Sequence, residues 1–353
     1  MKRIRDFGIN IGEFKTGKLN KITDVEGLKV GHFNLLDNDS NTGITVISPS
    51  DDIYFNPMIA GIKVINGFGK TVGLMQIEEL GEIESPILLT NTLSVGEVSS
   101  GLVNYMVDKM KSKDYNLKSF NPIVAECNDS NHNKIWLNKI KSSDVFKAFD
   151  NLCIDFEEGC VGAGRGMTCH NLKGGIGSSS RVFSILDKDY TIGSLVLSNH
   201  GRLSDLKIQN REIGKEILEK IKNEKEKYEK ESDKGSIIII MATDMPLSSR
   251  QIKRVLNRAN VSLARLGSHL GHGSGDVCIG FSTANVQNRE KYYREQKLED
   301  SFLKFSYYQD IVLDNVFRAF IECVEESILN SLITSKSAIN LNGERTRTLL
   351  EFI

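Results

Sequence analysis

Six short segments of the chain are apolar throughout or alternate apolar with small polar residues, and each is bounded by turn formers. They are GITVISP (43–49), SPILLTNT (85–92), NPIVAEC (121–127), TIGSLVLSN (191–199), SIIIIMAT (236–243) and DVCIGFSTA (276–284). This pattern predicts strands. Three other stretches carry a helical period. Residues 95–113 place Val98, Val103, Met106 and Met110 near one face. Residues 248–266 put Ile252, Val255, Leu256, Ala259 and Leu263 on one stripe with basic residues opposite. Residues 314–331 repeat the period through Val316, Phe320, Val324, Ile328 and Leu329. Strands alternating with helices predict a mixed α/β protein. The number of short strands predicts sheets packed face to face, with helices outside.

Residues 211–234 break the pattern with a run dominated by Lys and Glu. Its first half predicts an amphipathic helix through Ile213, Ile217, Leu218 and Ile221. The second half has no apolar face and reads as a solvated tether. Gly235-Ser236 follows at once, then an apolar strand. The chain has 353 residues, 40% apolar and 26% charged, which is ample for a large core. Lys+Arg 45 against Asp+Glu 46 leaves a net charge of -1 and lacks the basic footprint of a nucleic-acid binder. No run approaches the roughly 20 apolar residues of a membrane span. The N-terminal MKRIRDFGINIGEF lacks an apolar stretch behind its basic start, so no signal peptide is expected. Six cysteines without a CxxC pair predict reduced, mostly buried thiols in a cytoplasmic protein, and neither cysteines nor histidines show metal-ligand spacing.

Four segments carry candidate chemistry. The first, GCVGAGRGMTCHNLKGGIGSSSR (159–181), reads as a glycine-tightened hairpin. It allows a GxGxxG reading on spacing alone, but there is no P-loop signature. The second pairs Gly235-Ser236 with GHGSGD (271–276). No GxSxG elbow supplies a histidine base. Cutting the Gly235–Ser236 bond would give Ser236 an α-amine beside its own hydroxyl. With a reference pKa of about 7.7–8.0, that amine can accept the hydroxyl proton. Ser274 and Asp276 could hold the amine; alternatively the segment is only a turn. The third is Glu126, a carboxylate at a strand end, suited to a pocket rim and a cation or else a surface cap. The fourth is Asn199 in SNHG, a neutral donor for an oxyanion or the start of an Asx turn.

The order of these segments is that of a known family. Together with ITDVEGLKVGH (22–32), NTGITVI (41–47), INGFGKTVGLMQIEELGEIESPILLTNTLSVG (65–96), PIVAECND (122–129) and the block 235–285, they resemble the self-processing aminopeptidases of the L-aminopeptidase/D-esterase and β-aminopeptidase group, the S58 peptidases. The resemblance implies a four-layer αββα sandwich related to N-terminal-nucleophile hydrolases. It implies a single domain, 1–353, that cuts itself into 1–235 and 236–353 and stays together. It maps the cut to Gly235–Ser236, the nucleophile to Ser236, the second serine and acid to Ser274 and Asp276, the oxyanion donor to Asn199, and the receiver of the substrate's amine to Glu126. It further implies small peptide, amide or ester substrates, no metal or cofactor, and a homo-tetramer of processed protomers.

Two positions depart from the family pattern. NDSNHN puts Asn131 where an aromatic residue is common, and His200 also stands at a commonly aromatic position, so the acyl-side pocket is this chain's own. Alternative readings are an acyltransferase of the ornithine acetyltransferase type, a processing-dead binding protein, and a nucleotide-binding module. Ser rather than Thr at 236 argues against the first. Intact Ser236, Ser274, Asp276 and Asn199 argue against the second, and only the glycine-rich loop supports the third.

Overall fold

The computed structural model describes residues 2–224 and 235–353. Its strands in chain order are β1 (Lys29–Leu36), β2 (Asn41–Ser48), β3 (Met58–Gly67), β4 (Glu82–Ile83), β5 (Ile87–Asn91), β6 (Ile123–Cys127), β7 (Thr168–Cys169), β8 (Leu172–Lys173), β9 (Gly175–Ile185), β10 (Lys188–Asn199), β11 (Ser236–Thr243), β12 (Gly275–Val286), β13 (Ala338–Ile339) and β14 (Arg345–Thr346). Two large sheets form from them, ordered β1-β2-β5-β6 and β4-β3-β12-β11-β10-β9, while β7 with β8 and β13 with β14 make small two-stranded sheets. The helices are α1 (Leu74–Leu80), α2 (Val95–Lys111), α3 (Asp144–Asp150), α4 (Ile213–Asn223), α5 (Ser249–Leu256), α6 (Ala259–Arg265), α7 (Glu290–Glu295) and α8 (Leu313–Ile333).

The apolar run of β11 shows how the layers arise. A strand sends alternate side chains to opposite faces. Ile238, Ile240 and Ala242 pack between the sheets with Val30, Ile47, Leu89 and Ala125 of the four-stranded sheet. Ile237, Ile239 and Met241 face the other way, against Ile252, Val255 and Leu263 of α5 and α6 and Val316 and Phe320 of α8. On the far side, Ile44, Val46, Leu88 and Val124 of the smaller sheet meet Val98, Leu102 and Met106 of α2 and Val145 and Phe149 of α3. The result is the expected helix–sheet–sheet–helix sandwich.

Two helical expectations need correction. Val103 is exposed, and Leu102 takes the buried position on α2. Five residues from Val98 rotate a side chain about 140° round the helix, whereas four bring it back close to the same face. The 248–266 helix is two helices, α5 and α6. The Asn260 side-chain amide donates to the Asn257 carbonyl at 3.1 Å, taking an acceptor from the helical ladder at the break. The first half of the Lys/Glu run forms α4 as expected, and its second half, 225–234, lies outside the described residues.

Candidate active site

The strand ends define the site. β10 runs antiparallel to β11 with Asn199 opposite Ser236, and β12 runs parallel to β11 with Asp276 opposite Ile237. β3 ends beside the start of β12, with Gly67 opposite Gly275. The end of β10, the starts of β11 and β12, and the end of β3 therefore converge. The smaller sheet brings Glu126, on β6, to the same place. A cavity of about 630 Å³ opens there, and its walls include Glu126, Asn199, Gly235 and Ser236. Ser274 and Asp276 are buried close to it, Ser274 in the turn that leads into β12 and Asp276 as the second residue of that strand.

Backbone geometry holds Ser236. Its Oγ accepts the Gly275 N–H at 3.0 Å. Asp276 Oδ1 accepts both the Ser274 hydroxyl, at 2.5 Å, and the Ile237 N–H, at 3.2 Å. One carboxylate oxygen thus ties the GHGSGD turn to the start of β11. Gly235 packs on the end of β10, where a Cβ would fall 1.8 Å from the Asn199 carbonyl oxygen. Only glycine fits there, a requirement that the sequence leaves hidden.

Asn199 is fixed on both sides. Its Oδ1 accepts the Thr168 N–H at 2.8 Å, and its Nδ2 donates to the Asn128 carbonyl at 2.9 Å. An amide nitrogen carries two hydrogens, so a second donor remains on an atom at the cavity wall. Glu126 is buried. Its Oε1 accepts the Lys70 N–H at 2.8 Å, and its Oε2 accepts the Thr92 hydroxyl. Among the described residues no cationic side chain pairs with it, so it is a hydrogen-bonded carboxylate facing the cavity without a counter-charge. The surface-cap alternative for Glu126 and the plain-turn alternative for Asn199 do not fit this burial and bonding.

Burial sets the electrostatics nearby. It raises the Cys127 thiol well above its ordinary value, with the Glu126 and Asp276 charges adding to the effect. It pushes the Asp129 carboxyl up to about 6 and holds the His200 imidazole well below its usual range, so that His200 is neutral. Asn131 and His200 both line the cavity, along with Phe68, Lys70 and His272. The sequence reading missed the supports. Asn66 donates through Nδ2 to the carbonyls of Gly271 and His272, each at 3.1 Å, and of Ser274. Thr92 and the Lys70 amide hold Glu126. Their only sequence signal is their place within matched segments, NGFGK and TNT.

A profile of Peptidase family S58 matches residues 20–346. The chain belongs to that family. It is 33% identical over 359 residues to the β-peptidyl aminopeptidase BapA of Sphingosinicella xenopeptidilytica, covering 97% of this chain and 87% of that protein. The fold superposes on the PH0078 protein of Pyrococcus horikoshii OT3 with a TM-score of 0.89 and 41% identity, covering 99% of this chain and 96% of that one. It also superposes on the L-aminopeptidase D-Ala-esterase/amidase of Ochrobactrum anthropi, with a TM-score of 0.88, 30% identity and the same coverage. That structure is described as a prototype for the serine aminopeptidases and a variant of the Ntn hydrolase fold. The expected family and sandwich are thus found.

Proposed function

We propose that this S58 protein is a self-activating aminopeptidase that hydrolyses the first amide or ester bond of small substrates bearing a free amine. The observation that carries the reading is Glu126, a buried carboxylate without a cationic partner among the described residues, in the same cavity as Ser236. A buried charge is costly unless it is paired, and a substrate ammonium supplies the pair.

One maturation step precedes the cycle: water hydrolyses the Gly235–Ser236 bond, leaving a carboxylate on Gly235 and turning the Ser236 peptide nitrogen into an α-amine. That amine takes the Ser236 Oγ proton as Oγ attacks the substrate carbonyl. Asn199 Nδ2 and a backbone N–H stabilise the oxyanion. The C–N or C–O bond to the leaving group breaks, and the proton passes from the α-amine to the departing amine or alcohol. Water, deprotonated by the same amine, attacks the ester on Ser236; the acyl–Oγ bond breaks, the amine returns the proton to Ser236 Oγ, and the acid leaves. Ser274 and Asp276 orient the amine and hydroxyl. No step calls on a metal or cofactor.

Assembly as a homo-tetramer of processed protomers and a cytoplasmic location belong to the same proposal. Six free cysteines, four of them buried, support a reducing compartment. Among the described residues no helix is long and apolar enough to cross a membrane. The test is hydrolysis of an amino-acid amide compared with its N-acetyl form. Turnover of the free amine alone supports the reading, whereas equal rates would replace it with a general amidase or esterase.

A further inference from the structure

Beside Asn199, three side chains converge that the proposed reaction does not use, one of them, His200, in the cavity wall. Cys169, His170 and His200 are all buried, and one potential ligand atom from each lies within 4.8 Å of the others. We propose that they form a site for a borderline-soft divalent cation of the zinc type, a metal brace separate from the reaction chemistry.

The distances suit such an ion. Cys169 Sγ lies 3.8 Å from His200 Nδ1. In a tetrahedral zinc site with Zn–S near 2.3 Å and Zn–N near 2.05 Å, the sulfur–nitrogen edge is about 3.6 Å. The tautomers suit it too. His170 Nδ1 lies 3.0 Å from the Arg202 carbonyl oxygen. A carbonyl only accepts, so Nδ1 carries the proton and Nε2 is the basic nitrogen of the ring. A ligating histidine is commonly oriented by such a bond from its other nitrogen to a backbone carbonyl. His200 is 2% exposed, and its Nε2 has no hydrogen-bond partner among the described residues. With Nδ1 toward the ion, Nε2 keeps the ring proton, and what the protein alone leaves weakly satisfied is Nδ1, which faces only a thiol. Gly201 is the residue the cluster requires next, because a Cβ there would meet the His170 ring at 2.5 Å.

The site spans two segments that flank the oxyanion candidate. His170 N–H donates to the His200 carbonyl at 2.7 Å, and Thr168 N–H donates to Asn199 Oδ1, in the positions just beside two of the ligands. An ion held by Cys169 and His200 therefore clamps both ends of the Thr168–Asn199 contact. Binding releases the Cys169 proton to solvent, and three protein ligands leave a fourth position for water.

The experiment uses the purified full protein, stripped with chelator and reloaded with Co²⁺ or Zn²⁺ alone. We expect tetrahedral cobalt bands with a thiolate charge-transfer band, stoichiometric zinc retained through gel filtration, and a higher Tm with zinc. Cys169→Ser should abolish the charge-transfer band, and His200→Phe should bring retained zinc to background while keeping a ring in place. Zinc should shift the Tm of neither variant. The wild-type cobalt spectrum decides the matter even where a variant fails to fold. Octahedral cobalt without a thiolate band, or unchanged metal binding in both folded variants, overturns the proposal and leaves a thiol–imidazole contact in the core.

Discussion

Ser274 Oγ donates to Asp276 Oδ1 across 2.5 Å, and that same oxygen accepts the N–H of Ile237, the residue after Ser236. The relationship makes Asp276 the link between the turn and the start of β11. Ser274→Ala and Asp276→Asn should therefore fold but lose activity by about 10²–10⁴-fold, the range for a positioned acid–base partner. Steady-state rates on an aminoacyl-nitroanilide measure this. Near-normal rates in both variants would return GHGSGD to an ordinary turn.

Gly235 gives a second expectation. A methyl group there would lie 1.8 Å from the Asn199 carbonyl oxygen, which belongs to a strand and cannot move away cheaply. Gly235→Ala should slow or block chain cleavage, seen as a persistent full-length band on a denaturing gel. Cleavage at the wild-type rate would show that the packing of Gly235 on β10 is irrelevant to processing.

Glu126→Gln keeps the shape of the side chain and removes its charge. A charge-assisted hydrogen bond is worth about 1.5–3 kcal/mol, or roughly 10–150-fold in binding. Turnover of free-amine substrates should fall by that order, while cleavage of the chain, which involves no incoming ammonium, should change little. An equal loss in both processes would make Glu126 a structural residue.

The fold was legible wherever periodicity was unambiguous. SIIIIMAT reads as a buried, fully apolar strand, and β11 is that strand, with Ile238 and Ile240 turned to one core and Ile237 and Ile239 to the other. Residue spacing failed where one residue of offset matters, as at Val103, and where a side chain competes for the ladder, as the Asn260 amide does at the Asn257 carbonyl. In the site, the order of matched segments was enough to propose Ser236, Asn199, Glu126, Ser274 and Asp276. It was blind to contacts between distant segments. Asn66 reaches the turn at 271–274 from β3, and Cys169 and His170 meet His200 from some thirty positions away, a separation that no short metal-binding motif covers.

His132 sets a pH expectation. Burial lowers its pKa from 6.5 to about 4, so the unfolded chain binds a proton that the folded one refuses as pH falls through this window. Its contribution to stability is complete above pH 6.5 and is lost as pH falls to 4, by up to about 3 kcal/mol. Asp129, raised to about 6, acts in the opposite direction, favouring the fold at low pH and losing that contribution as pH rises through 6. Urea unfolding at pH 7 and pH 4 should show a smaller acid loss in His132→Asn than in wild type. An identical loss in the two proteins would contradict the assignment.

The central claim, that Ser236 becomes an N-terminal nucleophile, is tested most directly by the intact mass of the active protein under denaturing conditions. The account predicts two chains, 1–235 and 236–353, whose masses sum to the 39.4 kDa of the whole chain plus one water, with the smaller chain beginning SIIII. Ser236→Ala should give one uncut chain without activity. A wild-type protein that stays a single 39.4 kDa chain and is fully active would contradict the account.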